Sequence, residues 1–406
     1  MSADGIVLIV DHQLPTPDRD SGSLRLRRVI DELRGLGRQV LFFPMHPTAP
    51  SAYAERLRRD GVGVVSDRTQ QHRFLAEQGH RIALALLCRP EPAVAMLGPV
   101  RDAAPRALIA YDTVDLHFHR LGRQAALARE AGSADRYALR ARAESMRAVE
   151  LMLAAECDVT LVVSDDERQL VAAAVPTATV AVLSNIHQPD GPVRPPADNA
   201  RILFVGNYRH QPNVDAARWL CAEVLPAVRA RVPTAVVDLV GDGAPPEVAT
   251  LAGTAVTVHG WVPDLRAVYA RARVAVAPLR YGAGVKGKVG EAVEYGVPVV
   301  GTAVAFEGMG LRPGRDVLAG ETAEELAAAL VRVLRDDALA ARLAAASRPA
   351  LAARCGVAAA RSVLRRLLQQ AADRQSLGQQ SLGQQSLGQQ SLGQQSVGQQ
   401  RRAAPV

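Results

Sequence analysis

Residues 282 to 291 read Gly-Ala-Gly-Val-Lys-Gly-Lys-Val-Gly-Glu, a run whose residue types suit the binding of phosphate. Glycines let the backbone approach an anion closely, and a helix opening at Gly287 would aim its free N–H groups at the same point. Lys286 and Lys288 add charge, and they are the only lysines among the 48 basic residues. In a chain that otherwise uses arginine, two lysines two positions apart mark a site that needs a compact ammonium rather than a planar guanidinium. Gly284 lies between the turn and the lysines. Glu291 follows on the first helical turn, placed to accept hydrogen bonds from ribose hydroxyls.

A second constellation is Tyr111-Asp-Thr-Val-Asp-Leu-His-Phe-His-Arg120. Taken as an extended segment, it would point Asp115, His117 and His119 to one side. Such a set suits acid–base work, with His117 as the reacting group and Asp115 as base or orienter. With Asp11-His12 it would also suit a metal-dependent hydrolase, which stands as an alternative. Asp18-Arg19-Asp20 is an Asp-x-Asp match on a loop of the first half, and no metal role is expected of it.

The elements that must hold these residues are legible as alternation. Short β-branched runs (Ile6 to Val10, Val40 to Phe43, Val62 to Val65, Ile82 to Leu87, Ala107 to Ala110, Thr160 to Val163) are separated by helical patterns such as Ser51 to Asp60 and Ala134 to Ala155. A proline-rich lapse around Ser184 to Asn199 is followed by a second series: Ile202 to Val205, Val236 to Val240, Val256 to His259, Val274 to Ala277 and Val297 to Gly301. Helices begin near Asn213, Pro263 and Gly287, and a single long helix is expected over Ala323 to Ala346. Strands alternating with helices predict parallel, doubly wound sheets. The expected fold is α/β, with two Rossmann-like domains facing a cleft. The expected boundaries are residues 1–184, a linker at 185–199, a second domain at 200–356, a helix at 357–374 returning to the first domain, and a tail at 375–406. That tail carries five copies of Ser-Leu/Val-Gly-Gln-Gln from Ser376 to Gln400, one aliphatic residue per copy. So little apolar surface predicts disorder.

Composition narrows the function classes. Residues 1–184 carry 23 basic and 23 acidic residues, so the net charge of +7 resides wholly in the second half, where the phosphate loop lies. Without a basic run interleaved with aromatics, nucleic-acid binding is not expected. No apolar run reaches the roughly 18 residues of a membrane span. The N-terminus lacks a signal pattern, and the four cysteines form no Cys-x-x-Cys pair. A reduced, cytoplasmic setting is therefore expected.

These motifs together resemble a known family. The stretch from Arg280 to Val300, with Glu307-Gly-Met309, is similar to the donor-site signature of glycosyltransferase family 4, the group 1 glycosyltransferases of GT-B architecture. Phe204 to Ala216 resembles the opening of that family's donor domain, and Val240-Gly-Asp-Gly243 and His259-Gly-Trp-Val-Pro-Asp264 resemble its next two strand ends. Val10 to Pro15 with Asp20-Ser-Gly-Ser23 resembles its first glycine-containing loop. The likeness covers about residues 4–370.

The resemblance implies a metal-independent hexosyltransferase that needs no cofactor and works with retention of configuration. Its donor would be a nucleotide-diphosphate sugar and its acceptor a glycan or lipid-linked hydroxyl, in surface-glycan or polysaccharide assembly. Peripheral association with the inner face of the cytoplasmic membrane is left open, and a nucleotide-sugar epimerase of the same architecture is the runner-up. By the same resemblance Gly22, Gly206, Gly284, Lys286 and Lys288 would meet the diphosphate. Gly260, Trp261 and Val262 would lie near the base, and Glu307 and Gly308 on the donor-sugar side. His117, Asp115 and Lys288 would be catalytic. Two departures stand out. A glutamate that many members carry falls on Ala283, and their Arg and Lys after the first donor-domain strand are replaced by Asn207 and Pro212.

Overall fold

The computed structural model describes residues 5–46, 51–191 and 197–377. The first sheet contains β1 (Ile6–Asp11), β2 (Gln39–Pro44), β3 (Gly63–Val64), β4 (Ile82–Cys88), β5 (Leu108–Asp112), β6 (Val159–Val162) and β7 (Val180–Val182). The second contains β8 (Arg201–Val205), β9 (Val236–Val240), β10 (Val256–Gly260), β11 (Val274–Ala277), β12 (Val299–Gly301) and β13 (Leu318–Ala319). Their spatial orders are β3-β2-β1-β4-β5-β6-β7 and β10-β9-β8-β11-β12-β13. Every pairing within both is parallel. In each order the chain reverses direction beside the first strand, between β1 and β4 and between β8 and β11. Open parallel sheets bind ligands outside the carboxyl ends at such switch points.

Both faces of each sheet are covered, and β1 shows why its sequence is continuously apolar. Val7 and Ile9 join Leu26, Ile30 and Leu33 of the helix Ser21–Gly35, while Leu8 and Val10 join Met96, Leu97 and Val100 on the opposite side. Period-two side chains of a strand covered on both faces must all be apolar. A terminal helix over 357–377 leaves the second domain and buries Leu364, Leu367 and Leu368 in this first core. Arg361–Glu32 at 2.7 Å and Arg374–Asp158 at 2.5 Å flank it.

One expectation needs correction. The long helix over 323–346 is two helices, Ala323–Arg335 and Asp337–Cys355. Asp336 divides them because it adopts extended geometry and its carboxylate accepts from Leu339 N at 2.8 Å, capping the second. Within the expected linker, Asn185 and His187 are buried, and His187 N donates to Cys355 O at 2.6 Å. The edge strands β7 and β13 were not expected, being short and at sheet margins where the apolar signal is weakest. The tail beyond residue 377 lies outside the described residues. Among those described, no helix is long and apolar enough to cross a membrane.

Candidate functional site

A cavity of about 460 Å³ lies between the two sheets' carboxyl ends. Three helices begin on it: Ser21–Gly35, Gln211–Trp219 and Gly287–Glu294, represented in its wall by Gly22, Asn213 and Lys288. First-turn N–H groups have no intrahelical acceptor, so three converging N-termini make the cavity attractive to an anion. Asp20 takes its place here as a cap, accepting from Ser23 N at 2.7 Å, while Asp18 accepts from Tyr53 Oη at 2.8 Å. The Asp-x-Asp match is thus a capping loop. Among the described residues no group of three His, Cys, Asp or Glu side chains is placed to hold a metal.

The two lysines have different surroundings. The Lys286 ammonium is buried, donating to Gly284 O at 2.7 Å and pairing with Glu307 at 3.2 Å. Lys288 lies 4.4 Å over the Phe204 ring, donates to Asn213 Oδ1 and lies beside Gly206. Arg19, Arg28, Arg89, Arg120 and Arg266 also line the cavity, and each has a carboxylate partner: Asp242, Glu294, Asp11, Asp115 and Asp264. Among the described residues, Lys288 is the one lysine or arginine of the cavity wall with no carboxylate within 4.0 Å. Burial pulls its pKa down to about 7, although the Glu291 charge opposes that. Glu291 lines the same wall, its carboxyl pushed up to about 7 by burial and by Glu294. Glu294 itself is held at about 2, because His187 and Arg28 outweigh its burial.

His117 and His119 do not share a side. The segment is not extended: His117 opens the helix His117–Glu130, so residues two apart diverge by about 200°. His117 lines the cavity and its Nδ1 lies 3.0 Å from Asp115 O, which can only accept, so Nδ1 carries the proton. Burial disfavours its cation, yet Asp115 and Glu150 raise its pKa overall. Asp115 is held far below the carboxylate range by His117 and Arg120 despite its burial. Glu150, buried at 1 % exposure, accepts from His117 N at 3.1 Å and Phe118 N at 2.8 Å, supplying the cap that Leu116 cannot. Val114, just before, has φ of 62°, a left-handed conformation costly for a β-branched residue. That strain turns the chain from β5 into the helix and sets Asp115 on the cavity wall.

The glycines of the 282–290 run serve a purpose the sequence did not disclose. A Cβ on Gly287 would sit 2.3 Å from Ser21 Cβ, and one on Gly284 2.9 Å from Asp115 Cβ, so both face the first domain. Gly284 N donates to Glu167 Oε1 at 3.1 Å, the oxygen that also takes Leu116 N. Burial pushes the Glu167 carboxyl up to about 7. Asn185 Nδ2 donates to Val285 O at 3.1 Å and Arg123 to Gly282 O at 2.7 Å. The loop is therefore clasped by the first domain along its length.

The remaining expected residues divide. Trp261 and Val262 line the cavity; Trp261 is 40 % exposed, donates to Asp18 O at 3.0 Å and carries Arg19 over its ring. Gly260 forms the turn behind them with φ of 68°. Glu307 and Gly308 are not in the cavity wall. The Glu307 carboxylate is held by Arg123 at 2.7 Å and by Lys286, and Gly308 abuts Ser164. Asn213, Arg120, His210, Glu150 and Glu167 join the site without having been expected there. Asn213 and His210 stand inside the Phe204 to Ala216 motif, which was a signal for them; Glu150 sits mid-helix among ordinary charges, and Glu167, in the first turn of the helix Asp165–Ala174, reads as part of a helix start with Ser164, so neither pointed to the site.

The comparisons with known proteins agree with the two-domain fold. Residues 199–336 match the family model described as Glycosyl transferases group 1. No curated protein sequence matches the chain. Among solved structures, sucrose-phosphate synthase from Thermosynechococcus elongatus superposes with a TM-score of 0.68 at 18 % identity, covering 90 % of this chain and 98 % of its own. HepE from Anabaena, in complex with UDP and glucose, gives 0.66 at 15 %, covering 90 % and 99 %. The α,α-trehalose 6-phosphate synthase from Burkholderia multivorans gives 0.61 at 13 %, covering 91 % and 99 %. At these identities the likeness establishes the fold, the two-domain GT-B arrangement.

Proposed function

We propose that this chain, whose residues 199–336 form a Glycosyl transferases group 1 domain, moves a hexose from a nucleotide-diphosphate donor to an acceptor hydroxyl across its cleft. Retention of configuration and a glycan or lipid-linked acceptor belong to the same reading, as in family 4. The observation that carries it is Lys288, the wall cation without a carboxylate partner, set where three helix N-termini converge. A diphosphate would supply the missing anion. As the bond from C1 to the diphosphate oxygen breaks, negative charge grows on the leaving group, and preorganised cations and N–H groups stabilise it. The acceptor hydroxyl bonds to C1 on the same face, and its proton passes to the departing phosphate oxygen. Glu291 is placed for ribose, Trp261 and Val262 for the base, and His117 with Asp115 for the sugar and acceptor. Lys286 supports the loop through Gly284 O rather than meeting phosphate.

Thermal denaturation with a panel of sugar nucleotides tests the reading, since ligand bound only by the native state raises Tm. UDP-glucose is the first to try, because the Anabaena structure holds UDP and glucose. One nucleotide class should raise Tm in a concentration-dependent way; no shift with any nucleotide at millimolar concentration would overturn the reading. Formation of a new sugar nucleotide from donor alone would mark an epimerase instead.

A further inference from the structure

We infer that a second concavity, between the helices His117–Glu130 and Arg136–Glu156, binds the body of the acceptor, and that this body is an amphiphile bearing a phosphate. The inference deepens the transferase reading and rests on it. The groove has a volume of about 760 Å³. Small residues make its floor: Gly122, Ala125 and Ala126 on one helix and Ala143 on the other, with Phe118 closing one end. Around this apolar floor stand five arginines. Arg123 is paired with Glu307, Arg140 with Glu144, and Arg136 donates to Ser133 O at 2.9 Å and lies over the Tyr137 ring, whereas Arg129 and Arg147 have no carboxylate within 4.0 Å among the described residues. Two uncompensated guanidiniums over an apolar trough call for an anion joined to an apolar chain, and their planar forks suit phosphate.

Position supplies the link to the reaction. His119 and Arg123 line the groove, while His117 on the same helix lines the cleft. Arg123 is the shared wall, since it also donates to Gly282 O in the clasped loop. From His117 to Arg129 the helix runs about 18 Å. An acceptor could therefore place a hydroxyl in the cleft and its phosphate and apolar chain along the helices. The chain's own repeat tail is a poorer occupant, because the copies from Ser376 to Gln400 contain no carboxylate. A flat bilayer is also a poorer match to a concave floor of alanines.

The test is calorimetric titration of the full chain with dodecyl phosphate below its micellar concentration, against inorganic phosphate and dodecyl maltoside. Dodecyl phosphate should bind at least about tenfold more tightly than either control. Ala126→Trp, which fills the groove at an exposed position, and the pair Arg129→Ala with Arg147→Ala should each weaken it about tenfold, with stabilisation by UDP unchanged. Equal affinity for the neutral detergent, unchanged affinity in both variants, or binding only to anionic-lipid vesicles would overturn the inference. Nucleotide stabilisation without dodecyl phosphate binding would defeat the groove alone, whereas groove binding without any nucleotide effect would defeat the transferase reading.

Discussion

The loop from Gly282 to Lys286 and the helix that follows it are adjacent in sequence and opposite in character. From Gly282 to Lys286 the chain is clasped by the first domain, its carbonyls and amides taken by Arg123, Glu167 and Asn185, and its lysine paired with Glu307. From Gly287 to Glu291 the chain turns its polar groups to the cavity, and its lysine is left with an amide oxygen as partner. A cation already paired with a carboxylate gains less from an arriving phosphate than one that is unpaired and desolvated. The contrast teaches that residue type and spacing mark a site, while the neighbours decide which member of it meets ligand.

Lys288→Ala should break this contrast most severely, lowering transfer about a hundredfold or more with the circular-dichroism spectrum unchanged. Near-normal turnover would return the leaving-group role to Lys286. Gly287→Ala comes next: its Cβ collides with Ser21, so turnover should fall about tenfold as the domains are held apart. Adding Ser21→Gly should recover most of it, and an absence of recovery would point to a local helix effect.

The pH dependence sharpens the comparison further. With its pKa near 7 in the free protein, Lys288 loses its proton as pH rises, whereas bound diphosphate favours the charged form. Nucleotide affinity should therefore be level below about pH 6 and about thirtyfold weaker by pH 8.5, with proton uptake on binding. Lys288→Ala should flatten that profile. The smallest effect concerns the clasp: Lys286→Met and Glu307→Gln should each lower Tm by a few degrees, and the double variant by less than their sum.

The two sheets were legible because parallel strands covered on both faces must be apolar throughout, and such runs stand out against helical spacing. Lys288 was legible for a compositional reason, as one of only two lysines among 48 basic residues. Glu150 and Glu167 were not, since a buried carboxylate capping a distant N–H looks like any helix glutamate until the chain is folded. The pairing of His117 with His119 failed for the same reason, because helix or strand at residue 117 depended on that cap from residue 150.

By itself the sequence determined the doubly wound architecture, the glycine-rich loop ahead of the helix at Gly287 and the lysines that distinguish it, all of which follow from local periodicity and residue type. Tertiary structure alone decided that Lys286 serves the loop and Lys288 the cavity, and that Gly284 and Gly287 admit the opposite domain. It also decided that His117 and His119 face separate cavities. Those outcomes depend on which carboxylate, amide or backbone atom lies within about 3 Å, a distance set by packing between residues from 21 to 159 positions apart.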